Sequence, residues 1–81
     1  MRNLITVIVK ISGPLKRPRG RDMLTLEIKQ GTNLRKLLLK LGYEEKHIPS
    51  IMPVVNCALQ KESYVLNDGD QVSLSIVIGG G

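Results

Sequence analysis

Three places in this 81-residue chain could carry chemistry: His47, Cys57 and the run Gly79-Gly80-Gly81. A cysteine and a histidine can act as nucleophile and base if a fold brings them within hydrogen-bond reach. His47, however, follows Glu44-Glu45-Lys46, a stretch that reads as solvated surface, and Cys57 alternates with Val55 and Leu59 on what reads as the inward face of a strand. A small buried thiol is the ordinary outcome on such a face. With one cysteine and one histidine the chain has no internal disulfide and no Cys/His framework for a metal, and no metal site is expected. No serine sits in a nucleophile elbow, and Gly13 to Gly20 lacks the Gly-Lys-Ser/Thr ending of a phosphate loop. Glu44-Glu45 reads as a surface couple, and Asp68 and Asp70 belong to a turn. These residues encode no self-contained active site.

The glycine run has a different logic. At ~7 % usage, three glycines at a chosen position arise by chance about 3 times in 10,000. Without side chains such a segment can thread a narrow tunnel and lie against a partner's catalytic groups, at an ordering cost of ~1–2 kcal/mol per residue. It presents one reactive group, the Gly81 carboxylate.

The elements that must position that group follow from periodicity. Residues 4–11 alternate, with Ile5, Val7, Val9 and Ile11 on the core face and Leu4, Thr6, Ile8 and Lys10 on the other. Residues 13–22, with two prolines and two glycines, read as a loop, and 23–29 alternate again with Leu24, Leu26 and Ile28 inward. Thr32 or Asn33 caps a helix whose apolar stripe is Leu34, Leu37, Leu38 and Leu41, and Gly42 stops it. Arg35 and Lys36 lie in its first turn, where the macrodipole favours acids, so helix stability did not select them. Residues 43–53 read as an irregular connection with one helical turn, and Val54 to Gln60 as a short strand with Val55, Cys57 and Leu59 on one face. Asn67-Asp68-Gly69-Asp70 marks a turn before a last strand with Val72, Leu74, Ile76 and Ile78 inward. The order strand, strand, helix, strand, strand implies an α+β domain, residues 1–81, with one helix covering one face of a sheet of four to five strands. Residues 78–81 are expected to form a flexible tail.

Composition narrows the functional classes. Apolar residues make up 42 % and charged residues 23 %, as in globular proteins, and no apolar run is long enough to span a bilayer. The compartment expected is the reducing cytoplasm. Two tyrosines with no Phe or Trp make the core aliphatic. The same shortage disfavours single-stranded nucleic acid as a partner, since its recognition relies on aromatic stacking. The net charge of +5 is uneven: residues 1–49 hold 11 basic against 4 acidic side chains, and residues 50–81 hold 1 against 3. Lys16, Arg17, Arg19 and Arg21 concentrate it in one loop.

Taken in order, several stretches resemble the ubiquitin-like β-grasp sulfur carriers, in particular the small subunit of molybdopterin synthase and the thiamine-pathway sulfur carrier. They are the first strand running into Gly13-Pro14-Leu15, the strand of Leu24 to Ile28, and Gly31 before the leucine-rich helix. Val55-Asn56, Leu66 with Asp68-Gly69-Asp70-Gln71-Val72, and the terminal glycines complete the set. The resemblance implies a β-grasp fold and a carrier that is not itself an enzyme. It further implies that an E1-like partner adenylates the Gly81 carboxylate with ATP, after which sulfur replaces an oxygen to give a thiocarboxylate, and that the carrier binds no cofactor of its own. On the same resemblance its sulfur is expected to go to a synthase large subunit in molybdopterin or tungstopterin formation, or to a thiazole synthase. Gly79 and Gly80 give access to Gly81, and Ile8, Leu59 and Val77 are candidate docking residues on the sheet, with Arg17 and Arg19 on the basic loop. Two other readings compete: a ubiquitin-like modifier joined to lysines through the same tail, and a basic β-grasp module binding acidic partners through the loop.

Overall fold

In a computed structural model, which describes residues 3–15 and 17–76, the chain forms a five-stranded mixed sheet with one helix packed on one face. The strands are β1 (Leu4–Ile11), β2 (Met23–Lys29), β3 (Ile51–Val55), β4 (Ala58–Leu59) and β5 (Gln71–Ile76), in the sheet order β2-β1-β5-β3-β4. The central pair β1–β5 is parallel, and the other neighbours are antiparallel. Two 3-10 turns, Pro18–Gly20 and Glu45–Ser50, lie in the connections.

β1 and β2 form as their alternation predicts, paired from Leu4↔Lys29 to Lys10↔Met23, and the backbone N–H of Ile11 closes the long loop on Asp22 O at 2.7 Å. Arg17 stiffens that loop from within. Its Nε donates to Asp22 Oδ1 (2.6 Å) and its Nη1 to Gly13 O (2.6 Å) and Leu15 O (2.7 Å).

The helix α1 (Leu34–Lys40) is capped at both ends. Asn33 Oδ1 accepts from the Lys36 N–H at 2.8 Å. The first helical N–H groups, of Leu34 and Arg35, donate to Tyr64 O and Glu62 O, both at 2.9 Å, so residues 62–66 clamp the helix start. The end is a Schellman arrangement: Gly42 N–H donates to Leu39 O and Tyr43 N–H to Leu38 O, with Gly42 at φ 101°, a conformation that suits glycine. Arg35 pairs with Glu45 and with Glu62 (3.3 Å), which accounts for a cation where the dipole alone favours an anion.

Leu34, Leu37 and Leu38 cover the sheet face made by Ile5, Val7, Val9, Ile11, Ile28, Val72 and Leu74, and Leu15, Tyr43, Ile48 and Leu66 close the margins. The core is aliphatic apart from Tyr43 and the half-buried Tyr64 packed against it.

The region after the helix differs from the sequence expectation. Ile51–Pro53 belong to β3 rather than to an irregular connection, and the strand ends at Val55 instead of running from Val54 to Gln60. Asn56 (φ 49°) and Cys57 (φ 71°) both take left-handed backbone and make a two-residue hairpin turn into β4. A strand cannot pass through two such residues, so Cys57 is exposed at the turn and is not on an inward face with Val55. Leu59, opposite Val54, is 62 % exposed. The prolines hid β3: Pro53 is tolerated because β4 covers only Val54 and Val55, and beside Pro53 the outer edge makes one bond, Gln60 N–H to Pro53 O at 3.0 Å.

Candidate functional site

Gly79, Gly80 and Gly81 lie outside the described residues, as do Val77 and the side chain of Arg19. What the structure defines is the platform that leads to them. β5 occupies the middle of the sheet, parallel to β1 from Ile8↔Gln71 to Ile11↔Leu74 and antiparallel to β3 from Ile51↔Ile76 to Val55↔Val72. β1 holds it as far as Leu74 and β3 as far as Ile76, so Ile76, after which residues 77–81 follow in sequence, is set by the sheet rather than by a loop.

The start of β5 is fixed by side chains. Asp70, 5 % exposed, accepts from Asn56 Nδ2 (2.8 Å) and from the Asn67 N–H (2.8 Å), with the Tyr64 hydroxyl at 3.5 Å. Asn56 in turn accepts the Gln71 N–H on its Oδ1 (2.9 Å) and donates its own N–H to Gln71 O (2.9 Å). One turn residue therefore ties the β3–β4 hairpin to the first residue of β5. Asp68 Oδ1 accepts the Thr6 N–H (2.7 Å), and Thr6 O accepts the Gly69 N–H (2.8 Å), which sets the β1–β5 register. The sequence marked these residues as a turn and missed this second role. An Asx-rich turn between two strands was the available signal.

Ile8 and Leu59 sit on the sheet face that the helix leaves open, but not together. Ile8 is half-buried between Thr25 of β2 and Gln71 of β5, while Leu59 lies beyond β3, beside Val54 and Met52. Gln71, Ser73 and Ser75 of β5 run between the two apolar groups. The open face therefore has two small apolar edges divided by a polar strip. Arg17 faces inward on its loop, its guanidinium shared among Asp22, Gly13 and Leu15. His47 is exposed on the second 3-10 turn and Cys57 is exposed at the β3–β4 turn. Among the described residues there is no group of three or more His, Cys, Asp or Glu placed to hold a metal ion. Nor is any helix among them long and apolar enough to cross a membrane.

A cavity of about 330 Å³ opens beside Ile76, with Leu15, Tyr43 and Ile51 also in its lining and His47 and Ser50 at its rim. Burial raises the pKa of the Tyr43 hydroxyl above its ordinary value, and the positive charge of Arg17 works in the opposite direction.

No protein-family model matches the chain, and no curated protein sequence does. Solved structures do match. A protein from Pyrococcus furiosus assigned as molybdopterin converting factor, subunit 1, superposes with a TM-score of 0.72 at 19 % identity, covering 89 % of this chain and 97 % of its own. Urm1 from Trypanosoma brucei gives 0.68 at 26 % identity with complete coverage of both chains. Small archaeal modifier protein 1 from Methanosarcina acetivorans gives 0.66 at 21 % identity, covering 96 % of this chain and 98 % of its own. The chain has the ubiquitin-like β-grasp fold, and its resemblance to the ubiquitin-like sulfur carriers is a likeness of structure.

Proposed function

We propose that the protein is a sulfur carrier whose Gly81 carboxylate is the group acted upon. An E1-like partner transfers AMP from ATP to that carboxylate, releasing pyrophosphate. A sulfur nucleophile then attacks the acyl carbon, the C–O bond to AMP breaks, and a thiocarboxylate forms. The free carboxylate resists attack because its charge is delocalised, and the mixed anhydride accepts it. The protein acts as a carried reagent in the cytoplasm, and the catalysts are its partners. Gly79 and Gly80 let the backbone approach them, Ile8, Leu59 and Val77 contribute docking contacts, and the basic loop with Arg17 and Arg19 meets acidic surface. The acceptor of the sulfur is a molybdopterin- or tungstopterin-forming synthase, with a thiazole synthase as the alternative.

The observation that carries this reading is the position of β5. A central strand of a ubiquitin-like sheet, held on both sides through Leu74 and by β3 through Ile76, is followed in sequence by three consecutive glycines at 79–81. The test is the intact mass of the protein co-expressed with its adenylating enzyme. The expected result is a gain of ~16 Da, one oxygen exchanged for sulfur, that disappears when Gly81 is deleted. Absence of the gain with every cognate adenylating enzyme would refute the proposal. A second reading has support of its own, because a small archaeal modifier is among the structural neighbours. Under it the same activated glycine is joined to lysine amines, and higher-mass conjugates on immunoblots distinguish it.

A further inference from the structure

The core-facing residues of β5 do not share one fate. Val72 is 1 % exposed and Leu74 0 %, yet Ile76, next in the same alternation, is only half-buried. The cover fails there because the cavity of about 330 Å³ opens at that point. Its floor is apolar and preformed: Leu15, Tyr43 and Ile51 are buried members of the core, with Ile76 packed against them. Glu44, His47 and Ser50, which line its outer part, are exposed, so polar groups ring an apolar floor. The volume is at the lower end of the ~300–1,000 Å³ typical of ligand sites, a fit for one side chain rather than for a cofactor.

We infer that this cavity receives an aliphatic or aromatic side chain of the enzyme that adenylates the tail. The inference rests on the proposed function, which places the reacting carboxylate at Gly81. Five residues, 77–81, follow Ile76, and the last of them bears that carboxylate; at ~3.3–3.6 Å per residue they reach at most ~18 Å. An active site that encloses Gly81 must bring its entrance within that distance of Ile76, so the surface around Ile76 is covered whenever the tail is engaged. The apolar recess at that spot selects an apolar knob, since a polar group entering it would lose its water without gaining partners from Leu15 or Ile51. A buried anchor of this kind, filling a preformed pocket, is the usual form of an interface hot spot.

Two experiments on the full chain decide the matter. Indole, standing in for an aromatic side chain, is titrated while methyl resonances are followed by NMR. Those of Leu15, Ile51 and Ile76 are expected to shift saturably, and those of Leu4 and Met52 on the open face to stay. No saturable shift overturns the inference, and so does binding that appears only after truncation at Ile76, which would give the cavity to the chain's own last residues. In the second experiment Ser50→Trp, at an exposed lining position, closes the mouth, with Lys36→Trp on the solvent side of α1 as control. Ser50→Trp should weaken binding to the adenylating enzyme at least tenfold, and Lys36→Trp less than twofold. If Ser50→Trp loses its native NMR dispersion, His47→Trp replaces it. Wild-type conversion with unchanged affinity of the rim variants defeats the inference alone. Failure of wild-type conversion defeats the proposed function, and the inference with it.

Discussion

The two faces of this sheet obey different rules although the same strands make both. Along β1, Ile5, Val7, Val9 and Ile11 are 7, 0, 0 and 3 % exposed, while their neighbours Leu4, Thr6 and Lys10 face solvent and Ile8 is half-buried. On β5 the division is sharper, with Val72 and Leu74 buried and Gln71 and Ser73 wet. One face is filled to capacity by aliphatic side chains under α1. The other is divided, with apolar groups at its edges and a polar strip along β5. Stability comes almost entirely from the first, which leaves the second and the ends of the strands free for contact with partners.

The largest effect should come from testing that division within a single strand. Leu74→Ala removes a fully buried side chain from the middle of the sheet and should cost about 2–5 kcal/mol. Ser73→Ala, one residue away on the open face, should stay within about 0.5 kcal/mol. Urea unfolding measures both. Equal losses would show that the open face is packed in solution. A domain this small, without a buried Trp or Phe, has little reserve, so Leu74→Ala should approach the unfolded state under native conditions.

A smaller effect separates buried from wet anchors of β5. Asp70→Ala strips the acceptor from Asn56 Nδ2 and from the Asn67 N–H in a buried place, and should cost about 1–3 kcal/mol. Asp68→Ala removes an acceptor that is exposed, where water can replace it, and should cost less than Asp70→Ala. The reverse order in urea midpoints would place the strand's anchor at Asp68.

What was legible in the sequence follows the same line between local and distant causes. The alternation of β1 and β2 and the Leu34, Leu37, Leu38, Leu41 stripe depend on neighbours within a few residues and stand as read, with Asn33 the cap of the two residues read as candidates, Thr32 and Asn33. The parallel β1–β5 pair depends on contacts such as Asp68 to Thr6, 62 positions apart, which no periodicity reveals. Arg35 looked unfavourable for its helix until the fold brought Glu45 and Glu62 beside it. The cavity at Ile76 is assembled from three stretches far apart in the chain, around 14–15, 42–51 and 76, so no periodicity reveals it. The glycine tail is the reverse case, plain in the sequence and outside the described residues.

Cys57 is where reading by alternation and the structure disagree most directly, and it supports the smallest and most discriminating prediction. Alternation placed it inward beside Val55, whereas the structure places it exposed at φ 71°, second in a turn whose first residue, Asn56, is at φ 49°. That geometry favours Asn followed by Gly. A non-glycine residue there pays about 1–2 kcal/mol in left-handed backbone strain, and glycine returns about 0.5–1 kcal/mol of that through its freer unfolded chain. Cys57→Gly should therefore stabilise the protein by up to about 1 kcal/mol, read as a higher urea midpoint at unchanged slope. Cys57→Ser, which keeps the strain and has no packing to lose, should leave the midpoint where it is. An inward thiol would behave oppositely, since Gly would open a cavity and Ser would bury an unpaired hydroxyl, and both variants would unfold earlier.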